Sequence, residues 1–311
     1  MQEQALLCRG VLWPAEPGTP KLALRDENDE ARNIALDGGV ELGFGVLPGR
    51  WCLGHQLVHD RTHRTQVPCP TGAEVQRGTQ CESCEAADQS RAMHDFHRSG
   101  RAGAGLRDYL MQEHWLYVAS FAHGVSKIGT AANPSKWRRL AEQGAVSARY
   151  VGLAADGAQV RILEDLVTRE MGFPQQVRAQ SKVRGLLDSR TSLAALDGET
   201  SERASRVREF LASLPKQGDE TFMVVDEPWV APAQAAALLE GWETNALQPY
   251  PADLTVGGHG FTVASVLGQG LGVRLGNAPD LFVADASLLK GRKLVLGQYV
   301  TESPAIQSAL F

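Results

Sequence analysis

Four cysteines between residues 52 and 84 restrict the folding of this chain more than any other feature of its sequence. They lie in "WCLGHQLVHDRTHRTQVPCPTGAEVQRGTQCESC", and the last two form a C-x-x-C pair whose thiolates can bind one tetrahedral ion. Such a pair needs two further ligands, and in a cytosolic protein this spacing favours a metal over a disulfide. We therefore predict a zinc ion held by Cys52, Cys69, Cys81 and Cys84.

The predicted zinc site is structural, because four protein ligands leave no open position for water or substrate. His55, three residues after the first cysteine of the cluster, is the reserve ligand if one thiolate does not bind. His59 and His63 are interpreted as surface histidines, and Cys8 as a buried residue of an apolar run. A redox dithiol and free thiols are the alternatives, although the strand-then-helix context of a redox pair is missing.

Short apolar runs broken by Pro, Gly and Asp predict strands near both ends of the chain. Between them, strand, strand, helix, strand and helix follow one another, which is typical of an α/β or α+β unit. We predict an α+β protein with a β-rich N-terminal segment, a zinc-ribbon-like Cys/His module with a connector, a central α/β domain with trailing helices, and a β-rich C-terminal small sheet or barrel. The predicted boundaries are 1–50, 51–110, 111–215 and 216–311, and the first segment is a candidate to complete the sheet of the last.

Charge is distributed unevenly along the 311 residues. The formal net charge of −5 is not that of a general nucleic-acid coat protein. Between residues 136 and 190, however, ten basic residues stand against six acidic ones. This excess is consistent with a confined phosphate-binding site. It is equally consistent with helices that carry arginines on their solvated sides.

The first residues lack the basic segment followed by a long apolar segment that marks a signal peptide. No run approaches the roughly 20 apolar residues that a membrane-spanning helix requires. We therefore expect a cytoplasmic protein with no membrane partner.

The stretch "WLYVASFAHGVSKIGTAANPSKWRRLAEQGA", residues 115–145, predicts a hairpin followed by a helix. Asn133 is the expected N-cap, the next residue is a Pro suited to the first helical position, and Gly144 lies near the expected end. This arrangement brings polar side chains together at a strand–strand–helix corner. They are Tyr117, Lys127, Arg138 and Arg139.

These runs, followed by "AQVRILEDLVTREMGF", resemble the GIY-YIG endonuclease domain over about residues 114–172. "LYV" corresponds to the first tripeptide of that family and "KIG" to the second, so Lys127 replaces the second Tyr. The pair Arg138-Arg139 follows at helix distance, and "ILEDLV" carries Glu164. The whole layout, with its upstream cysteines and downstream β-rich region, also resembles an uncharacterised bacterial and archaeal family.

The resemblance implies cleavage of a phosphodiester bond. Glu164 would hold one catalytic Mg²⁺, and Tyr117 would orient or deprotonate the attacking water. Lys127 is the nearby cation that a tyrosine base needs at neutral pH. Arg139 would bind the phosphate oxygens with its planar guanidinium, and Arg138 is the reserve for that role.

A further polar residue often closes such a site, and Gln180 and Lys182 are the alternatives for it. Each main candidate also has a plain structural interpretation. Tyr117 suits the core of a sheet, and Glu164 suits a surface ion pair with Arg161, three residues before it. The sequence leaves these interpretations open.

Three functions remain possible for such a chain. The first is a Mg²⁺-dependent endonuclease acting on DNA or RNA, with the zinc module positioning the substrate. The second is a non-catalytic, zinc-stabilised nucleic-acid-binding protein that keeps the fold for phosphate contacts. The third is an interaction or biosynthetic protein without a nucleic-acid ligand. An open pocket around Tyr117, Arg139 and Glu164 favours the first, a filled one beside a basic face the second, and a neutral surface the third.

Overall fold

The computed structural model describes residues 4–188, 191–215 and 222–304. Arg190, the last basic residue of the segment rich in them, lies outside this part of the chain, as do the domain boundaries expected at 216 and 311. The described residues form a mixed structure of helices and strands that includes a large sheet and the cysteine cluster. The predicted α+β class is therefore confirmed.

The described strands form three sheets, and the described helices cover or connect them. The strands are β1 (Ala5–Leu12), β2 (Lys21–Arg25), β3 (Ile34–Ala35), β4 (Glu41–Val46), β5 (His55–Val58), β6 (Arg64–Val67), β7 (His114–Ser120), β8 (Ser126–Ala132), β9 (Ser147–Ala154), β10 (Phe222–Pro228), β11 (Leu247–Pro249), β12 (Gly257–Leu267), β13 (Gly270–Arg274), β14 (Leu281–Asp285) and β15 (Lys293–Leu296). The α-helices are α1 (Glu82–Ala87), α2 (Phe96–Ser99), α3 (Ala104–Leu110), α4 (Lys136–Gln143), α5 (Gly157–Met171), α6 (Ala179–Arg184), α7 (Leu193–Ser213) and α8 (Ala236–Glu243). Among these helices, none combines the length and the apolar character needed to cross a bilayer.

The largest sheet has nine strands in the order β11-β14-β13-β12-β4-β15-β1-β2-β3. Strands from the two ends of the chain alternate within it, because β4 lies between β12 and β15, and β15 pairs with β1. Alternate residues of β4 are buried, as expected for a strand with one face on a core. Gly260 of β12 is required by close packing, since a Cβ there would lie 1.6 Å from the carbonyl oxygen of Tyr299.

The central sheet has four antiparallel strands in the order β10-β9-β7-β8. Both faces of this sheet are covered, because successive side chains of β7 point to opposite faces and belong to two different apolar clusters. Leu116 and Val118 belong to an apolar cluster with residues of α5 and α7. Tyr117 and Ala119, which point the other way, belong to the core that includes Phe44 and its neighbours in the nine-stranded sheet.

Strand β10 joins a different sheet from the one that its place in the sequence indicates. The predicted C-terminal β-rich domain begins at residue 216, yet β10 pairs with β9, with Phe222 opposite Ala154. The segment is apolar enough for either sheet, and only its long-range pairing decides between them. The central sheet therefore includes a strand from beyond α7.

The cysteine-rich segment contributes a two-stranded sheet, β5 and β6, and the short helix α1. Its own apolar cluster is small. The fully or partly buried members are Cys52, Cys69, Ala73, Val75, Cys81 and Cys84. A cluster of this size buries little apolar area, so another interaction must stabilise the segment.

Candidate metal centre and arginine-lined pocket

The four predicted cysteine ligands come together in space. The Sγ atoms of Cys52, Cys69, Cys81 and Cys84 all lie within 4.8 Å of one another, and those of Cys69 and Cys81 are 3.8 Å apart. Tetrahedral coordination with metal–sulfur bonds of about 2.3 Å places ligand sulfurs about 3.8 Å apart. The cluster could therefore hold a metal ion such as zinc.

The local backbone builds this site in two halves. Cys81 precedes α1 and Cys84 lies one turn into it, which places both sulfurs on one side of the helix. Across from them, the Sγ atom of Cys52 accepts hydrogen bonds from the backbone N–H groups of Gly54 at 3.3 Å and Cys81 at 3.1 Å. Such bonds stabilise the negative thiolate that a metal requires. The reserve ligand, His55, is not part of the four-residue group.

The pKa values of the clustered thiols are shifted in different directions, and burial raises that of Cys52. Burial opposes ionisation of Cys69, but hydrogen bonds from the Thr71 side chain and from the backbone of Ala73 lower the pKa of the thiol to about 6. Burial and the neighbouring sulfurs raise the pKa of Cys84. A divalent ion between the sulfurs would offset the electrostatic repulsion between neighbouring thiolates.

Tyr117 and Lys127 lie close together inside the protein. The Tyr117 side chain is fully buried, and its hydroxyl accepts a hydrogen bond from Gln143 Nε2 at 2.7 Å. Lys127 is also buried; its Nζ atom donates to the carbonyl oxygen of Gln175 at 3.2 Å and lies 5.7 Å from the Tyr117 ring centre. Gly129, opposite Tyr117, leaves room for this ring, because a Cβ there would lie 2.5 Å from its hydroxyl.

Of the two residues proposed to close the site, Lys182 lies beside this pair and Gln180 is exposed. The Nζ atom of Lys182 donates to Gln143 Oε1 at 3.4 Å, which continues the hydrogen-bonded chain from Tyr117. It lies 4.1 Å from the Phe121 ring centre. Burial, together with the positive charges of Lys127 and Arg139, lowers the pKa of Lys182 to about 7.

This shift predicts a rise in stability with pH. Between pH of about 7 and the ordinary lysine pKa of 10.5, the unfolded chain holds one more proton at Lys182 than the folded chain. The free energy of unfolding therefore increases with pH across this interval. Lys182→Met removes the amine and keeps the length of the side chain. We expect this variant to show a smaller increase in the free energy of unfolding between pH 7 and pH 9, measured by denaturant unfolding. The exposed Lys21→Met is the control, and an equal pH response in both variants would contradict the assignment.

Glu164 lies on the face of α5 that is directed at the central sheet, and it is 3% exposed. Its Oε2 atom forms an ion pair with Arg161 Nη1 at 2.5 Å. The ion pair considered from the sequence is therefore present, but the carboxylate is buried rather than at the surface. The residue that follows, Asp165, binds His97 and Arg98 of α2.

A cavity of about 210 Å³ opens between β8, α4, the first residue of α5 and the hairpin of the cysteine-rich segment. Four arginines from β6, α4 and α5 line it: Arg64, Arg138, Arg139 and Arg161. Arg138 pairs with Glu142 at 3.5 Å, and Arg161 with Glu164. Arg64 and Arg139 are exposed and have no carboxylate partner among the described residues. We call this cavity the arginine pocket.

The pKa values of two side chains in the arginine pocket are shifted in opposite directions. Burial, reinforced by the charge of Arg161, lowers the pKa of His114, and its Nδ1 atom lies 2.8 Å from the carbonyl oxygen of Gln112. Burial raises the pKa of Glu142 and outweighs the attraction of the surrounding arginines, including the Arg138 pair. Both shifts favour the neutral form of the side chain concerned.

The structure distributes the predicted catalytic residues over two places. Arg138 and Arg139 line the arginine pocket, whereas Tyr117 and Lys127 lie in the core between the sheets. Among the described residues of the pocket wall, neither Tyr117 nor Glu164 is present, and Glu164 meets the pocket only through Arg161.

Three residues that line the pocket were not among the site residues predicted from the sequence. Arg64 lies in the cysteine-rich segment, and only folding brings it to α4. His114 opens the strand that carries Tyr117, and Glu142 lies one helical turn after Arg138. The i, i+4 spacing of the last pair is a signal that could have found Glu142; no local pattern marks the other two.

Searches with family models, among curated proteins and among solved structures found no protein that matches this chain.

Proposed function

We propose that the protein binds the phosphodiester backbone of nucleic acid in the arginine pocket. The observation that carries this proposal is the convergence of four guanidinium groups on one small cavity, two of them without a carboxylate partner in the described chain. Guanidinium groups bind phosphate oxygens in a bidentate manner, and each neutralised phosphate releases counterions. The net charge of −5 over the whole protein confines this attraction to the pocket region.

The resemblance to the GIY-YIG domain supports the same proposal. The residues that carry it are Tyr117 on β7, Lys127 on β8, Arg139 in α4 and Glu164 in α5, and Arg139 lines the arginine pocket. The buried Tyr117 favours phosphate contact without tyrosine-dependent chemistry, since its hydroxyl is already bonded to Gln143. We therefore favour nucleic-acid binding over the Mg²⁺-dependent endonuclease and over a protein without a nucleic-acid ligand.

The Mg²⁺ ion that the resemblance implies does not fit the observed surroundings of Glu164. The side chain is buried, and one carboxylate oxygen is bonded to Arg161. Mg²⁺ retains several waters and needs an accessible carboxylate. The Mg²⁺-dependent endonuclease therefore stays a prediction of the resemblance, and we derive no step through the ion.

Arg64→Ala and Arg139→Ala test the proposed binding. We expect each to weaken the affinity for a fluorescently labelled RNA or DNA oligonucleotide about tenfold, because each removes a charged hydrogen-bond donor to phosphate. The slope of log affinity against log salt concentration should fall by about one per arginine. Fluorescence anisotropy between 50 and 200 mM salt, the range over which such slopes are resolved, measures both quantities.

The matched control is Arg169→Ala, an exposed arginine of the same domain that pairs with Glu170 outside the pocket. It should bind as tightly as the unmodified protein. If all three variants bind equally, or if binding does not depend on salt, the arginine pocket is not the phosphate site.

A further inference from the structure

We infer that His114 and Glu142 act as the base and the acid that cleave RNA in the arginine pocket, with the ribose 2′-hydroxyl as the nucleophile. Both residues line the same cavity of about 210 Å³ as the four arginines. The inference rests on the proposed phosphate binding, because the reacting phosphate must lie in this pocket. It assigns a reaction to residues other than those implied by the GIY-YIG resemblance.

The hydrogen bonding of His114 leaves one ring nitrogen available as a base. A carbonyl oxygen only accepts, so the 2.8 Å contact with Gln112 O places the proton on Nδ1. Nε2 then carries the lone pair, and it has no hydrogen-bond partner within the described residues. The ring edge lies beside the start of α5, where a Cβ on Gly157 would be 3.2 Å from Nε2. A glycine at that position lets the start of α5 pack closely against the ring without covering Nε2 with a side chain.

The groups around His114 maintain its neutral form. Burial opposes protonation most and Arg161 of α5 adds to it, whereas the hydrogen bond to the Gln112 backbone and the charge of Asp156, the N-cap of the same helix, partly offset the fall in the pKa. Tyr109 of α3 packs against the imidazole edge to face, with ring centres 6.1 Å apart, and adds burial without charge. At neutral pH the imidazole can therefore accept a proton.

Glu142 is suited to the opposite role. It lies on α4, where burial raises the pKa of its carboxyl group. The cations that face it are Arg138 and Arg139 from its own helix, Arg64 from β6, and Lys290. Two titratable groups shifted toward each other's usual range in one cavity are the arrangement of an acid and a base.

The two proton transfers complete a transesterification. Nε2 of His114 takes the proton of the 2′-hydroxyl, and the 2′-oxygen forms a bond to the adjacent phosphorus. The bond from phosphorus to the 5′-oxygen breaks, and that oxygen takes the proton of Glu142. The products are a 2′,3′-cyclic phosphate and a free 5′-hydroxyl, and the two side chains regain their protonation states by exchange with water.

This nucleophile is favoured because it is already attached to the substrate. A neighbouring hydroxyl attacks with a very high effective concentration, so the protein needs to supply only the proton transfers and the charge neutralisation. The guanidinium groups of the pocket neutralise the phosphorane oxygens. The inferred substrate class is therefore RNA, and DNA lacks the reacting group.

The test uses the full chain with a labelled single-stranded RNA and the DNA of the same sequence, without added Mg²⁺. We expect cleavage of the RNA alone, with 2′,3′-cyclic phosphate ends. His114→Asn keeps a donor where Nδ1 lies and removes the base, and Glu142→Gln removes the acid at constant shape. Each should lower the cleavage rate about 100-fold. Rates are compared with each variant saturated with RNA, as judged by fluorescence anisotropy, so that a change in affinity is not counted as a change in chemistry.

The pH profile separates chemistry from folding. The unmodified protein should show a bell-shaped rate, with an acid limb that disappears in His114→Asn and an alkaline limb that disappears in Glu142→Gln. RNA that is bound and left intact would overturn this inference while the proposed binding stands. Absence of both binding and cleavage would overturn the two together. Equal cleavage of DNA, or cleavage that needs Mg²⁺ and is lost in Glu164→Gln, would show a different mechanism.

Discussion

Replacement of Cys84 by Ala should remove zinc from the protein and unfold the cysteine-rich segment. The four sulfurs lie within 4.8 Å of one another, and three ligands bind the ion far more weakly than four. The apolar cluster of this segment is made up largely of the cysteines themselves, so little else stabilises it. Structural zinc contributes apparent free energies on the order of 10 kcal/mol in small modules, so we expect the segment to unfold when the ion is lost.

Zinc content per chain and limited proteolysis measure the two effects. We expect about one zinc ion per unmodified chain, close to none in Cys84→Ala, and new cleavage sites between residues 51 and 90. Cys8→Ala is the matched control, because Cys8 is also buried but lies in the nine-stranded sheet, outside the cluster. A variant at Cys84 that keeps a full equivalent of zinc would exclude this residue as a ligand.

Loss of a metal ion from the cysteine cluster should also weaken the proposed binding of nucleic acid. Arg64 lies on β6, within the segment that the four cysteines hold together, and it lines the arginine pocket. Unfolding of the hairpin would remove this guanidinium from the pocket. We expect the affinity of Cys84→Ala to fall at least as far as that of Arg64→Ala.

Phe44→Ala should produce the second large effect, a loss of about 3–5 kcal/mol in the free energy of unfolding. The Phe44 side chain is fully buried, and its ring lies 5.4 Å from that of His259 and 6.0 Å from that of Phe261, measured between centres. The smaller residue leaves a cavity that this packed core cannot fill. Since domains have total stabilities of about 5–15 kcal/mol, the loss is a large fraction of the whole.

Urea unfolding tests this prediction together with the cooperativity of the sheet. Phe44 lies on β4, which pairs with β12 and β15, so strands from both ends of the chain should unfold in one transition at lower urea. Leu12→Ala, at a position that is 49% exposed, should change stability by no more than about 0.5 kcal/mol. Two separate transitions in Phe44→Ala would contradict a single cooperative sheet.

Much of the local structure was predictable from residues close in sequence. The end of α4 at Gly144 follows from a glycine in the left-handed conformation, with φ of 68°. The predicted beginning of α4 was less accurate, because Asn133 starts a 3₁₀ turn and the α-helix begins at Lys136. The pairing of β10 with β9 could not be predicted, since an apolar run contains no information about which edge it will join.

The sequence alone determined the four cysteines that could hold a metal ion and the α+β class of this protein. Cysteine spacing and the alternation of apolar residues are local properties, and they limit the structure wherever the segments pack. Only the tertiary structure decided that Tyr117 is covered by a second sheet and that Arg64, His114 and Glu142 share one cavity. The reason is physical. Burial and the position of charges arise from contacts between residues distant in the chain, and these contacts set the pKa values and the chemistry of a pocket.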